Sequence, residues 1–255
     1  MKAMILAAGL GTRLRPLTDT RPKALVELSG RTLLEITLTR LRTFGVTEAI
    51  INVHHFADMV EDYLKSKNNF GMRLEISLEN DQLLDTGGGL KKAAWFFEED
   101  PARGGEPFLL HNVDVISTID LAAMLQFHKE NDALATLAVR SRESGRQLLF
   151  NDQLQLSGRC INNQDTVIPS PHRTVISSEA KNLSSIPLQP LAFSGIHIIS
   201  PRLLPQLTET GPFSIIDSYL RLSAQGQKIL AFRHDNSYWR DLGKPADLAQ
   251  AALDL

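Results

Sequence analysis

The chain has a single cysteine, Cys160, among its 255 residues. It therefore has no partner for an intrachain disulfide and no material for a multi-cysteine zinc site, and a reducing compartment is expected. Charge of one sign is also missing. The 27 Lys and Arg stand against 29 Asp and Glu, a formal net charge of −2, so there is no basic excess to neutralise a long phosphate backbone and nucleic acid is not the expected partner. No stretch approaches the roughly 20 apolar residues that a bilayer span needs. The apolar N-terminal run gives way to Gly9, Gly11, Arg13 and Arg15 before a signal peptide is complete, so a soluble, cytoplasmic chain without membrane contact is expected. The seven histidines form no His-Glu-x-x-His and no Cys/His cluster, and Ser194-Gly195 lacks the nucleophile elbow Gly-x-Ser-x-Gly. Zinc chemistry and acyl transfer lose their usual signatures.

What is present is an ordinary globular composition, 43% hydrophobic and 22% charged, in a chain long enough for a large core. Residues 2–8 read as a short buried strand stopped by glycine. Helical and strand patterns then alternate: helix 32–41, strand 49–53, helix 55–67, strand 72–78, helix 88–98, strand 107–111, helix 120–131 with Asp120 as its cap, and strand 133–139. This rhythm predicts an α/β fold, a Rossmann-like, mostly parallel sheet flanked by helices. After Val139 a hairpin of strands 147–150 and 153–156 opens a smaller β-rich part, and residues 162–190 read as a solvent-facing, flexible loop. Strand 191–199, short helices near Pro201 and over 214–224, edge strands 229–233 and 238–239, and a closing helix from Pro245 complete the chain. The expected organisation is one domain over 1–255, with a first part over about 1–139, a second part over 140–243 and a closing helix over 244–255.

The densest signal is Leu6-Ala7-Ala8-Gly9-Leu10-Gly11-Thr12-Arg13-Leu14-Arg15-Pro16-Leu17-Thr18, with Pro22-Lys23 just beyond. A strand delivers this loop to the carboxyl edge of the sheet, where open α/β folds bind ligands, and its glycines let backbone amides approach phosphate oxygens. Arg13 and Lys23 are fixed cations suited to a departing pyrophosphate. A tight structural turn with solvated bases is the competing explanation. The pattern is neither a Walker loop nor a dinucleotide fingerprint, since Leu14 stands where the third glycine belongs. Asp85-Thr86-Gly87-Gly88-Gly89 reads either as a second glycine-rich loop, able to press backbone against a base, or as a flexible helix start. Asp114 emerges after an apolar strand and Asp241 precedes the last helix. Each is a candidate magnesium ligand or a simple cap.

Taken together and in this order, the Gly9-to-Lys23 segment, Thr86-Gly87-Gly88-Gly89, Asn112-Val113-Asp114, Phe193-Ser194-Gly195 and Trp239-Arg240-Asp241-Leu242-Gly243 resemble the landmarks of the sugar-1-phosphate nucleotidyltransferases. The resemblance spans most of the chain and implies that the part over about 1–139 is nucleotide-binding and the part over 140–243 sugar-binding. It implies that Arg13 and Lys23 are catalytic, and that Ala8, Gly9, Gly11, Thr12, Arg13, Lys23, Asp85, Gly87 and Gly88 bind the nucleotide. It further implies that Asn112, Gly195 and Arg146 bind the sugar phosphate and that Asp114 and Asp241 hold Mg2+. The implied partners are a nucleoside triphosphate and a sugar 1-phosphate, in a monomer or small homo-oligomer. UTP with N-acetylmuramate 1-phosphate is the first implied pair, and GTP with mannose 1-phosphate or another hexose or heptose 1-phosphate is the alternative. A nucleotide-sugar sensor is the non-enzyme alternative. Val113, where the family usually has glycine, and Lys244, where threonine often stands, are departures that bear on acceptor choice.

Overall fold

The computed structural model describes residues 1–98, 105–162, 164–167 and 187–254. The chain starts with β1 (Lys2–Leu6), then a tight pair, β2 (Glu27–Leu28) and β3 (Arg31–Thr32), that feeds α1 (Leu33–Thr43). Thr32 caps α1, its hydroxyl accepting from Glu35 N at 3.0 Å, the first half of a capping box. Next come β4 (Glu48–Val53), α2 (Ala57–Ser66), β5 (Arg73–Leu78), α3 (Asp85–Lys92) and the single turn α4 (Trp95–Glu98). The apolar strand β6 (Phe108–Asn112) is followed by β7 (Val115–Ser117) and α5 (Leu121–Glu130). Asp120 caps α5 as its sequence position predicts, accepting from Ala123 N at 2.9 Å.

The second half holds β8 (Ala135–Arg140), β9 (Arg146–Phe150), β10 (Leu156–Ile161), β11 (Gln164–Val167) and β12 (Gln189–Ile199). It ends with α6 (Ile215–Ala224), β13 (Ile229–Arg233), β14 (Trp239–Asp241) and α7 (Pro245–Asp254). The central sheet runs β5-β4-β1-β6-β12-β8-β13. Its pairings β5–β4, β4–β1, β1–β6 and β8–β13 are parallel, while β12 runs antiparallel to both β6 and β8. The α/β, mostly parallel architecture expected from the alternating pattern is therefore the architecture found. The N-terminal end of β12 leaves this sheet to join β9, β10 and β11 in an antiparallel wing.

Burial on both faces explains why β1 carries no polar alternation. Ala3 and Ile5 pack with Leu34, Leu38 and Leu41 of α1 on one face, while Met4 packs with Phe96, Phe108 and Tyr219 on the other, all of them fully buried or nearly so.

Four expectations change. Of the two readings of segment 85–89 the helix start is the one found, but the helix expected over 88–98 is split into α3 and α4. The second hairpin strand begins only at Leu156, because Asn151 closes a wider turn: its side chain accepts from Gln153 N and Gln155 N and its N–H donates to Gln155 O. The edge strand at 238–239 pairs with β7, which the pattern did not reveal, in a separate two-stranded sheet. Of the loop expected over 162–190, residues 164–167 form β11 and 189–190 begin β12, and most of the remainder lies outside the described residues. Among the described residues no helix is long and apolar enough to cross a membrane.

Candidate active site

Three parallel strands end level with one another. Leu6 is paired in register with Asn52 of β4 on one side and with Asn112 of β6 on the other, so two carboxamides flank the point where β1 releases its loop. Above this row lies a cavity of ≈ 440 Å³ lined by the chain from Leu6 to Gly9, together with Lys23, Asn52, Glu79, Asp85, Thr86 and Asn112 to Asp114. That is the carboxyl edge of the parallel strands, where this class of sheet places ligands.

Asn52 and Glu79, which the sequence reading did not single out, hold the two walls together. The Asn52 carboxamide accepts from Ala7 N at 2.8 Å and donates to Glu79 Oε1 at 2.7 Å, while Glu79 Oε2 accepts from Leu84 N at 2.8 Å. Both side chains are almost completely buried, and a buried polar pair is tolerated only when its hydrogen bonds are made. Gly89 lets α3 approach this pair, for a Cβ there would meet Asn52 Nδ2 at 2.8 Å and Glu79 Oε1 at 2.9 Å. A polar residue closing an apolar strand, in Ala49-Ile50-Ile51-Asn52, is the sequence signal that marks it in hindsight.

Lys23 and Asp114 face each other across the cavity wall in a direct ion pair, both side chains largely buried. Lys23 comes from a short turn after Pro22, and Asp114 follows β6. Asp241 lies opposite Val115 in the β14–β7 pairing, one position from Asp114, and Leu242 N donates to Asp114 O at 2.8 Å. The two carboxylates thus sit on neighbouring backbones. Arg13 reaches across to the same corner: a Cβ on Gly243 would meet its guanidinium at 2.6 Å and Asp241 Oδ1 at 2.7 Å. Gly11, at φ 64°, turns the loop so that Thr18 can donate to its carbonyl at 2.8 Å, and Thr12 begins the exposed turn that carries Arg13.

Ala8, Gly9, Lys23, Asp85, Asn112 and Asp114 therefore share one cavity. Gly195, at φ 75°, abuts Asn112, whose Nδ2 would lie 2.8 Å from a Cβ placed there. Gly87 and Gly88 are placed differently. Both amides donate to Phe213 O, at 2.9 and 3.3 Å, and a Cβ on Gly87 would fall inside the Phe213 ring; these glycines let α3 pack on the segment before α6 and do not line the cavity. Arg146 is exposed at the start of β9 and is not among the residues lining the cavity either.

Among the described residues, no group of three or more His, Cys, Asp or Glu is arranged to hold a metal ion. A pair of carboxylates beside a cavity roomy enough for a phosphorylated small molecule suits magnesium, which takes few protein oxygens and completes its shell with water and substrate phosphates.

Residues 2–147 match the nucleotidyl transferase family. The chain is 34% identical to the N-acetylmuramate alpha-1-phosphate uridylyltransferase of Caulobacter vibrioides, over 98% of this chain and 95% of that one. It is 30% identical to the mannose-1-phosphate guanyltransferase beta-B of Xenopus laevis, over 97% of this chain but only 62% of that longer one. In fold it superposes on HddC from Yersinia pseudotuberculosis with a TM-score of 0.75 at 21% identity, covering 99% and 98% of the two chains. A UDP-glucose pyrophosphorylase complexed with UDP-glucose also gives 0.75 at 20% identity, covering 99% and 97%. Family match, near-full-length likeness and a strand-edge cavity holding Lys23 and Asp114 agree, and the chain belongs to the nucleotidyl transferase family as a sugar-1-phosphate nucleotidyltransferase.

Proposed function

We propose that this enzyme transfers a uridylyl group from UTP to N-acetylmuramate 1-phosphate with magnesium present, forming the UDP-sugar and pyrophosphate. The observation that carries the choice is likeness in both directions: the Caulobacter uridylyltransferase is matched over nearly its whole length, the Xenopus guanyltransferase over under two thirds. A role in the recycling of cell-wall sugar, in the cytoplasm, follows from that substrate.

In the reaction, an oxygen of the sugar phosphate attacks the α-phosphorus of UTP as the bond to the β,γ-pyrophosphate breaks. The attacking phosphate is already ionised near neutral pH, so the protein must align and neutralise charge; no general base is required. Ala8 and Gly9 line the cavity and their amides would bind phosphate oxygens, the loop being held by the Ala7 N–H on Asn52, which Glu79 fixes in turn. Lys23, held by Asp114, and Arg13, beside Asp241, would neutralise the pyrophosphate as it leaves. Asp114 and Asp241 would hold magnesium, which supplies further charge neutralisation when bound. Val113, buried beside Asn112, narrows the acceptor end.

The test is pyrophosphate release, with and without magnesium, across UTP, GTP, dTTP, CTP and ATP against the 1-phosphates of N-acetylmuramate, N-acetylglucosamine, mannose, glucose and heptose. A dominant UTP and N-acetylmuramate signal is expected. A dominant GTP signal with mannose or heptose would replace this assignment.

A further inference from the structure

Arg142, like Arg146, lies outside the residues lining the cavity, but unlike Arg146 it packs on segments that adjoin the site, and it has no ion-pair partner among the described residues. It follows β8 and lays its guanidinium on the Trp239 ring, Cζ lying 4.6 Å from the centroid. One amino group donates to Phe193 O at 3.2 Å, another makes a long contact of 3.5 Å with Glu143 O, and Nε is buried with no hydrogen-bond partner. The platform beneath it is fixed, since Trp239 Nε1 donates to Ser194 O at 2.8 Å and the Ser194 hydroxyl bonds His234 Nε2 at 2.7 Å.

Two features tie this cation to the active site. In β14, Trp239 and Asp241 are two residues apart and share one face, so the ring beneath Arg142 and the carboxylate beside Arg13 point to the same side. Phe193 and Ser194, the carbonyls that anchor Arg142 and Trp239, immediately precede Gly195, which abuts Asn112 on the cavity wall. Burial lowers the proton affinity of Arg142 and the field of Asp241 partly restores it. Its two terminal nitrogens each keep an N–H beyond these carbonyl contacts, and a guanidinium held flat on a ring can offer such a pair to an anion in bidentate fashion.

We propose that Arg142, and not Arg146, is the anion-binding residue of the acceptor half, taking an acidic group of the sugar 1-phosphate. The inference rests on the reading of the acceptor as a sugar 1-phosphate. The acidic group has two sources in N-acetylmuramate 1-phosphate, the phosphate and the lactyl carboxylate, whereas N-acetylglucosamine 1-phosphate has only the first.

Trp95 and Trp239 are the two tryptophans of the chain, so Trp95→Phe leaves Trp239 as a reporter directly under Arg142. In that background each sugar 1-phosphate, and inorganic phosphate as a simpler probe, is titrated by fluorescence, and steady-state KM values are measured for both substrates. Arg142→Met should raise the acceptor KM and the titration midpoint about 10- to 100-fold, the loss of one or two charge-assisted hydrogen bonds, with the nucleotide KM nearly unchanged. Arg142→Lys should recover part of this, keeping the charge and losing the fork. Equal losses with both acceptors assign Arg142 to the phosphate, and a loss confined to N-acetylmuramate 1-phosphate assigns it to the carboxylate. An unchanged acceptor KM, or an equal rise in nucleotide KM, overturns the proposal. If no substrate pair turns over, the acceptor reading falls and the titration decides alone: a saturable signal lost in Arg142→Met upholds the anion site, and no saturable signal overturns it.

Discussion

The two sides of the proposed site are built in different ways. The nucleotide end is an edge of parallel strands, where Asn52, Leu6 and Asn112 stand in one register row and each loop leaves from a neighbouring strand. The proposed acceptor side, beyond the residues that line the cavity, is assembled from a register shift in β12 between Phe193 and His197, a two-stranded sheet far from it in sequence, and Arg142 after β8. The first end depends on local motifs, the second on distant segments meeting. Protonation is weighted toward the second side but not confined to it, since His111 on β6 pairs with Ile5 of β1. His111 on β6, His128 on α5 and His234 after β13 are each lowered to about 4, and His197 on β12 to about 3. Burial is the main cause in all four, with Arg40, Arg202, His111 and Arg140 the next contributors for His111, His128, His197 and His234 in turn. Of the pair near the nucleotide loops, His55 is lowered, by burial and by His54.

The largest expected effect exploits that asymmetry. A histidine with a normal pKa near 6.5 when unfolded and about 4 when folded binds its proton preferentially in the unfolded chain between those values. Stability is therefore full above pH 6.5, falls with acid through the window down to about 4 for three of these groups and about 3 for His197, and is flat with respect to them below that. At pH 5 each such histidine costs on the order of 2 kcal/mol. Together they approach the roughly 5–15 kcal/mol of a typical domain. Urea unfolding at pH 7 and pH 5 should show the loss, and hydrogen exchange at pH 5 should show β8, β12 and α5 opening before β1 and β4. Uniform opening would remove the distinction between the two ends.

Next in size is the chemistry at the nucleotide end. Lys23→Met should lower kcat about 10²- to 10³-fold, the usual loss for one preorganised charge-stabilising group. Because Lys23 pairs with Asp114, the double variant Lys23→Met, Asp114→Asn should lose less than the product of the two single losses. Additive losses would mean that the two side chains act separately.

Much of the nucleotide end was legible because a strand followed at once by glycines and cations is a local pattern, and register places Asn52 and Asn112 beside it. Asn52 and Glu79 escaped notice because each is an unremarkable polar residue until the other lies 2.7 Å away. Gly87 and Gly88 read equally as a ligand loop or a helix start, because glycine permits close approach without saying to what; in the structure Phe213 is the close neighbour of Gly87. On the acceptor side Arg146 and Arg142 look alike in sequence. Only the meeting of β8, β12 and β14 lays one of them on Trp239.

A moderate effect is expected at that glycine contact. Gly87→Ala inserts a methyl where the Phe213 ring lies, an overpacking that should cost about 1–3 kcal/mol. Phe213→Leu in the same chain should recover part of the loss by yielding the space. If Gly87 served the base alone, Gly87→Ala would raise the nucleotide KM with no change in urea midpoint, and Phe213→Leu would rescue nothing.

The smallest effects make a matched pair. Thr32 caps α1 among the nucleotide-side elements, and Asp120 caps α5, which packs on β8 and β12. Thr32→Ala and Asp120→Ala should each cost about 1 kcal/mol at pH 7, the usual loss for an N-cap. If the two ends unfold as one unit, both variants lower protection everywhere by the same amount. If the acid-sensitive end opens first, Asp120→Ala at pH 5 should deprotect α5 and β8 while β1 keeps its protection, and Thr32→Ala should leave the opening of α5 unchanged. Hydrogen exchange on the two variants at both pH values separates these cases, because a cap acts only on those openings that break its own helix.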